Sequence, residues 1–461
     1  MVGLLELPKV TTRLTETSSV DVLHLPYTYF PDAPGGTEVY VAGLVAALRR
    51  EGVGCAVAAP GKEAAEYSYS DAPVFRFATA RDAGLAQAYG APDAEAERSV
   101  RALLARLRPR IVHLHARTAA VSGALVDAAR EVGAKTVFTY HTPTVSCARG
   151  TMMRLGRVPC DGVLDRRRCT ACVFAQHGVP PLMRDALASV PEAIGARLGR
   201  AGLGGGAFTA LRLPALIGAG HRRFHELMHK VDRVVAVCEW VREVLRMNGV
   251  PEDKLLLCRQ GLVRGCATPM ARARAIAPRT PLRLGYFGRL DPTKGADLLA
   301  AALRRVPRAP VQLAIYGVRQ PGRDDYADSL GRAALEDPRI TLLPALPPEQ
   351  VGAAMGQCDL VAVPSRCLET GPLVVLEAFA AGVPLLGARL GGIAELVTDG
   401  IDGVLVPPDD AGAWAAAIAA LATAPERVAA LRAGIRPPRT MRAVAGEMAS
   451  LYRKLLADGA R

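Results

Sequence analysis

The strongest constraint on this chain is a repeated alternation. Short runs rich in β-branched residues recur between longer stretches of helical period, from about residue 20 to residue 456. Such alternation selects parallel sheets, because two parallel neighbours need a crossover long enough to hold a helix. The runs 20–25, 54–59, 111–115, 136–140, 233–238 and 254–259 are predicted as strands of a first half. Runs 282–286, 311–317, 340–343, 360–363, 383–387 and 403–406 are predicted as strands of a second. Helical patterns at 38–51, 295–305 and 376–381 lie between them, and a last one spans 442–456. Twelve strands are too many for one compact sheet of this kind. Residues 264–281, rich in Ala, Arg and Pro and without period, read as a linker. The expected class is α/β: two doubly wound Rossmann-like domains facing an interdomain cleft, where ligands collect beyond the carboxyl ends of strands. The expected boundaries are an N-terminal extension at 1–17, a first domain at 18–263 carrying a Cys- and Arg-rich insertion at 141–230, a second domain at 282–435, and a C-terminal segment at 436–461 whose helix packs back on the first domain.

Half of the 461 residues are hydrophobic and 22% are charged, which excludes a disordered or membrane-embedded chain. The formal charge is +13, yet only seven of the 57 basic residues are Lys, so the Arg bias makes a basic balance weak support for a nucleic-acid partner. Its distribution says more. Residues 141–230 hold 13 Lys+Arg against five Asp+Glu, which is +8 of the total. Residues 1–17 contain acids and no apolar core, and 201–220 is interrupted by glycines, Arg212 and Pro214, so neither reads as a signal peptide or a spanning helix. The expectation is a cytoplasmic protein, peripheral on the inner face of the membrane, with its ten cysteines reduced.

Strand, turn and helix patterns converge at 358–382, CDLVAVPSRCLETGPLVVLEAFAAG. Asp359 opens a strand, residues 365–371 form a loop, and Pro372 suits a first helical position because its missing N–H would be unbonded anyway. The free amides and positive dipole end of such a helix favour an anion such as a phosphate. Glu369 precedes the helix and Glu377 lies about a turn and a half inside it, so the two can hold different parts of one extended ligand. A solvated loop Glu and a helix-face Glu are the plain alternative.

The Glu369-to-Glu377 E-x7-E pair, followed by AFAAGVPLL, and GYFGRLDPTKGADLL at 285–299 resemble the retaining GT4-type glycosyltransferases of the GT-B fold (glycosyl transferases group 1). The resemblance extends to PGGTEVYV at 34–41, YHTP at 140–143 and GGIAELVTDGIDGVLVPPDD at 391–410, in the family's order. It implies that 18–263 is the acceptor-side domain and 282–435 the donor-binding one. It implies that Arg289 and Lys294, with Gly288 beside them, bind the donor diphosphate. It gives Glu369 the donor-sugar hydroxyls, Thr370, Gly371, Pro372 and Leu373 the loop that offers amides to sugar and phosphate, and Glu377 the ribose hydroxyls. Gly35 and Gly36 match the loop approaching the donor phosphate, and His141 matches the histidine touching the transferred sugar. The implied reaction moves a sugar from a nucleotide-diphosphate sugar to a glycan or lipid-linked acceptor in cell-surface polysaccharide assembly. It retains configuration and needs no metal for the chemistry. Catalysis is assigned to His141, Glu369, Arg289 and Lys294. The chain departs from the family at Arg259-Gln260-Gly261, where Asn often precedes Gly, and at Leu368-Glu369-Thr370-Gly371-Pro372, which replaces a frequent Glu-Pro-Phe-Gly form.

Directly after His141, Cys147, Cys160, Cys169 and Cys172 follow C-x12-C-x8-C-x2-C. In a reduced compartment this spacing is compatible with a tetrahedral structural zinc site, with reduced packing cysteines, or with redox chemistry. Such clusters resemble insertions in a subset of GT4-like enzymes. The following 180–230 stretch combines Arg184, Arg197, Arg200, Arg212, Arg222 and Arg223 with Leu, Ile, Phe and Met. Docking on an anionic membrane surface and a solvated helical hairpin are both compatible with it. His113 and His115 alternate on a predicted buried strand and read as satisfied structural histidines. Cys55, Cys238, Cys258, Cys266, Cys358 and Cys367 read mostly as small buried hydrophobes. Two other readings stand beside the transferase: a sugar-nucleotide epimerase of the same fold, and a non-enzymatic zinc protein binding nucleic acid.

Overall fold

The structure, a computed structural model, describes residues 19–32, 35–80, 84–263 and 281–458, together with the backbone of 10–11. The predicted linker except for residue 281, Cys266, and the N-terminal extension except for residues 10–11 lie outside the described residues. The chain forms two compact units, Met1–Arg259 with Met441–Arg461, and Gln260–Thr440.

In the first unit the strands β1 (Val10–Thr11), β2 (Val22–Leu25), β3 (Cys55–Gly61), β4 (Ala65–Tyr69), β5 (Ala72–Ala78), β6 (Ile111–Leu114), β7 (Lys135–Tyr140), β10 (Arg233–Ala236) and β11 (Leu255–Leu257) form one sheet in the order β1-β4-β5-β3-β2-β6-β7-β10-β11. A separate small hairpin pairs β8 (Met153–Arg154) with β9 (Val158–Pro159). The main sheet is parallel from β5 to β11, but β4 is antiparallel to both β1 and β5. This hairpin edge departs from the predicted all-parallel sheet. Its two turn residues, Ser70 and Asp71, adopt positive φ of 49° and 64°. Such turns usually announce themselves with Asn-Gly or Asp-Gly, and this one does not.

Strand order in this sheet reverses between β2 and β6, the topological switch point of a doubly wound fold. Period-two alternation then separates two faces. Leu23, Leu25, Val112, Leu114, Phe138 and Tyr140 enter the main apolar core. His24 and His113, which are directly paired across β2 and β6, point to the other face with Thr139. The Gly36–Arg50 helix supplies Tyr40 to that face, where its ring lies 4.7 Å from that of His141. The Met441–Asp458 helix supplies Tyr452, whose hydroxyl meets His113.

The second unit holds a six-stranded sheet, parallel throughout: β12 (Leu282–Arg289), β13 (Val311–Val318), β14 (Ile340–Pro344), β15 (Leu360–Val363), β16 (Leu385–Ala388) and β17 (Gly403–Val406), in the order β14-β13-β12-β15-β16-β17. Its reversal falls between β12 and β15. At the opposite, amino end of these two strands Asp359, 1% exposed, takes a bidentate contact from the guanidinium of Arg283 and also accepts its backbone N–H. This paired buried charge fixes the register of the two strands whose far ends carry the site.

Residues Gly206–Lys230 form one continuous helix with Pro214 inside it. Among the described residues no helix is long and apolar enough to cross a membrane.

Candidate active site

The loops that leave β12 and β15 emerge side by side at the switch point of the second unit. After β12 the Tyr286 hydroxyl donates to the carbonyl of Arg289 at 2.7 Å, and the Asp291 carboxylate accepts the N–H of Thr293 at 2.9 Å. Gly295 follows with φ of +74°, and a Cβ there would stand 2.2 Å from the carbonyl oxygen of Pro364 in the β15 loop. Only glycine permits that approach, and the approach brings Lys294 to Glu369: Nζ lies 2.5 Å from Oε1. Ser365 donates to the same carboxylate oxygen at 2.8 Å.

Arg366 braces the two loops. Its backbone N–H donates to Thr293, and its guanidinium to the carbonyl of Pro292 and the carboxylates of Asp297 and Asp409. Nothing in the linear sequence marks this arginine, because its partners lie 43 to 74 positions away. Gly392, from the GGIAEL segment, donates its N–H to the carbonyl of Glu369 at 2.6 Å, and a Cβ on Gly392 would come within 2.7 Å of that oxygen. The two glycines after β16 are thus the floor under Glu369.

The electrostatics follow from this packing. Burial by itself would push Lys294 down, but the charge and hydrogen bond of Glu369 outweigh it and hold the ammonium above its ordinary value. Burial would raise Glu369, but Lys294, Ser365 and Arg289 together hold its carboxyl below the usual range. Both groups are charged at neutral pH. Burial and the Glu369 charge push the neighbouring Cys367 thiol up, so it stays protonated. Arg289 is exposed at the end of β12, within electrostatic range of both members of the pair.

Pro372 is the cap of the helix Leu373–Ala380 rather than its first residue, with extended backbone at ψ 117°. Thr370 is buried, Gly371 and Leu373 are half-buried, and Glu377 is half-buried along the helix. The side chain of Gln260, the family departure at this point, lies against Gly371: a Cβ there would meet its Oε1 at 3.1 Å. The second unit therefore gathers Arg289, Lys294, Glu369, Thr370 and Gly371 around one loop pair, with Gly288 on β12.

The remaining predicted residues belong to the first unit. Gly35 caps the Gly36–Arg50 helix, its N–H donated to the carboxylate of the buried Glu38 at 2.8 Å; both glycines are exposed, and nothing would crowd a Cβ on Gly36. His141 sits just past β7 and is buried, its Nε2 3.0 Å from Nδ1 of His115. His113 and His115 are buried with both ring nitrogens hydrogen-bonded, the satisfied structural histidines that their strand positions predict. The missed signal was His24 on the neighbouring strand, which completes the row.

Cys147 follows the Pro143–Val145 turn, Cys160 follows β9, and Cys169 and Cys172 lie on the Arg166–Gln176 helix, with the other three thiols within electrostatic range of Cys169. Cys172 Sγ accepts the N–H of Leu155 at 3.1 Å, Cys160 faces Asp161, and burial together with the neighbouring thiols pushes Cys169 up to about 12. Among the described residues the group of three with ligand atoms that close is His24, His113 and His115. Both ring nitrogens of His113 and of His115 are already in hydrogen bonds.

Two family models match in tandem. Glycosyltransferase Family 4 covers residues 34–261, and Glycosyl transferases group 1 covers residues 281–424. The chain belongs to the GT4-type glycosyltransferases. This GT4-type chain is 33% identical over 264 residues to a D-inositol 3-phosphate glycosyltransferase of Segniliparus rotundus, a match covering 54% of this chain and 57% of that one. It spans about half the length of the curated relatives it matches. Among solved structures it resembles Anabaena HepE in complex with UDP and glucose, with a TM-score of 0.62, 17% identity and coverage of 94% and 99%. It also resembles sucrose-phosphate synthase of Thermosynechococcus elongatus, with a TM-score of 0.66, 19% identity and coverage of 95% and 99%. At those identities the likeness establishes the fold, and the fold of this GT4-type protein is GT-B.

Proposed function

We propose that this protein is a retaining glycosyltransferase that moves a sugar from a nucleotide-diphosphate sugar to an acceptor. The observation that carries the reading is the Lys294–Glu369 pair at the switch point, with Arg289 beside it. Breaking the bond between sugar and diphosphate develops negative charge on the leaving group. Lys294, already fixed on Glu369, and Arg289 within electrostatic range of it stabilise that charge. Glu369 stays ionised and holds donor-sugar hydroxyls, while Thr370, Gly371 and Leu373 offer amides at the start of a helix. Glu377 receives the ribose, and the acceptor's proton passes to the departing diphosphate. His141, Gly35 and Gly36 are the first unit's contributions to sugar and phosphate. The complexes of UDP with HepE support a nucleotide-sugar donor.

The acceptor is a glycan or lipid-linked sugar of cell-surface polysaccharide assembly, reached from an anionic membrane surface. Exposed Leu182, Met183, Ile194 and Phe208, beside the exposed Arg197, Arg200 and Arg222, support that docking. The name of the curated relatives favours a second acceptor class, a phosphorylated polyol. Incubation with UDP-, GDP- and ADP-sugars, with and without each acceptor class, tests the proposal. Release of nucleoside diphosphate supports transfer; interconversion of donors without release identifies an epimerase, and intact donors throughout overturn the enzymatic reading. Flotation on vesicles with and without anionic lipid tests the docking, and equal flotation overturns it.

A further inference from the structure

Loops at the switch point of the first sheet line a cavity of about 500 Å³, within the roughly 300–1,000 Å³ of small-molecule sites. Tyr27 follows β2, Arg117 follows β6, and Thr144 and Ser146 follow β7. The lining therefore comes from the carboxyl ends of three neighbouring strands, where ligands of such sheets collect. A further wall is the Gly206–Lys230 helix of the insertion, which brings Ile217, Gly220, His221 and Phe224 to the cavity at the spacing of one helical face.

No carboxylate lines this cavity, and among the described residues none pairs with the guanidinium of Arg117. Nη1 of Arg117 donates to the carbonyl of Val145 at 2.9 Å and Nη2 to that of Gly220 at 2.6 Å. These two bonds fix the guanidinium and use only part of its N–H donors. Burial, with the nearby Arg223 adding, pushes it down to about 10, so it is charged at neutral pH with no counter-charge beside it. His221 contributes no second cation: burial, then His225 and Arg117, push it down to about 4. A half-buried cation held by carbonyls in a cavity without acids is stabilised by an anion, and a guanidinium grips a phosphate through paired N–H donors.

We propose that this cavity is the acceptor subsite of the first unit, where Arg117 takes a phosphate group of the acceptor. The inference rests on the reading of the protein as a glycosyltransferase. Both acceptor classes named above can carry that group, a phosphorylated polyol as a monoester and a lipid-linked sugar in the link between sugar and lipid. The hydroxyl-bearing residues Tyr27, Thr144 and Ser146 face the rest of the acceptor, and the insertion helix sets the room beside it through Ile217 and Phe224. The insertion then acts in acceptor choice, in addition to any part in membrane docking.

The test is calorimetric titration of the full chain, with and without excess UDP, GDP or ADP, using matched probes: an inositol monophosphate against inositol, and a prenyl diphosphate-linked sugar against the octyl glycoside of the same sugar. At least one phosphorylated probe should bind at least about tenfold more tightly than its neutral counterpart, and the nucleotides should not displace it. The pair that shows the difference identifies the source of the phosphate. Arg117→Gln should weaken that probe by about 10- to 100-fold, the scale of losing hydrogen bonds to a charged group, and Arg117→Lys, which keeps the charge, should lose less. Equal affinity within both pairs, no binding of either phosphorylated probe, displacement by a nucleotide, or unchanged affinity in folded Arg117→Gln each overturns the proposal. The comparison of probes on the unsubstituted protein stands even if a variant fails to fold. Nucleoside diphosphate release is a separate readout: its absence overturns the transferase reading and leaves the anion-binding result intact.

Discussion

Lys294 and Glu369 lie 75 positions apart in sequence and meet at 2.5 Å because the loops carrying them leave neighbouring parallel strands on either side of a switch point. The contact is made in the protein by itself, so the cation assigned to the donor diphosphate is already ordered by a carboxylate that a bound donor would share.

Removing either member should cut turnover by at least about 10²-fold, the scale of losing one group that stabilises developing charge. The stability cost should be unequal to zero and non-additive. Lys294→Ala leaves the Glu369 carboxylate without its nearest cation, a cost of about 1–3 kcal/mol, and the double variant Lys294→Ala/Glu369→Ala should recover part of it. Steady-state nucleoside diphosphate release and urea unfolding measure the two effects. Near wild-type turnover in both single variants would refute the assignment.

Gly392→Ala should damage the site without touching any ligand. Its Cβ would stand 2.7 Å from the carbonyl oxygen of Glu369 and 3.0 Å from the amide of Gly371, and both neighbours are backbone. The loop must move, so turnover should fall more than about tenfold. Gly446→Ala is the control: nothing lies within 4 Å of its Cβ, and in the Met441–Asp458 helix the change should stabilise by about 0.5–1 kcal/mol. Equal turnover in the two variants would count against the role given to Gly392.

Burial holds His24 and His141 down to about 3, and His113 and His115 well below their ordinary value. In the unfolded chain these rings titrate near about 6.5. Between those values the unfolded state binds protons that the folded state refuses, so stability rises with pH. It is complete above about pH 6.5 and is lost as pH falls toward 3, by up to about 1.4 kcal/mol per pH unit for each ring. Between pH 7 and 5, above the carboxylate range, the urea midpoint of the first unit should fall. Fluorescence of Trp240 in a Trp414→Phe background reports it, since the chain has two tryptophans. A flat midpoint over that range would mean that the rings are hydrated.

Chelation tests whether a metal staples the insertion. Cys147, Cys160, Cys169 and Cys172 are free thiols with the other three gathered near Cys169, and zinc held there should appear as one equivalent per chain on metal analysis, with a melting temperature that falls after prolonged chelation. Less than one zinc per chain, with a melting temperature unchanged by the chelator, would refute the metal reading.

Much was legible in the sequence because it is local. Period-two runs separated by helical stretches gave all twelve predicted strands, each within a few residues, since a strand buried on both faces shows itself by composition alone. Glycine and proline marked the loops: Gly295 and Pro372 stand where the chain must turn or start a helix. The hairpin β4–β5 escaped because its turn uses Ser70 and Asp71 in a conformation that neither residue advertises.

What the sequence by itself determined is the set of elements and the residue types at their carboxyl ends. Only the tertiary structure decided which of those ends are neighbours. Strand order is set by which crossovers pack, and it alone brings Arg366 across the β12 loop, lays Gly392 beneath Glu369, and lines His24, His115 and His141 into one row. A hydrogen bond needs its partners within about 3 Å. Spacing along the chain carries no information about that distance once the partners sit on different strands.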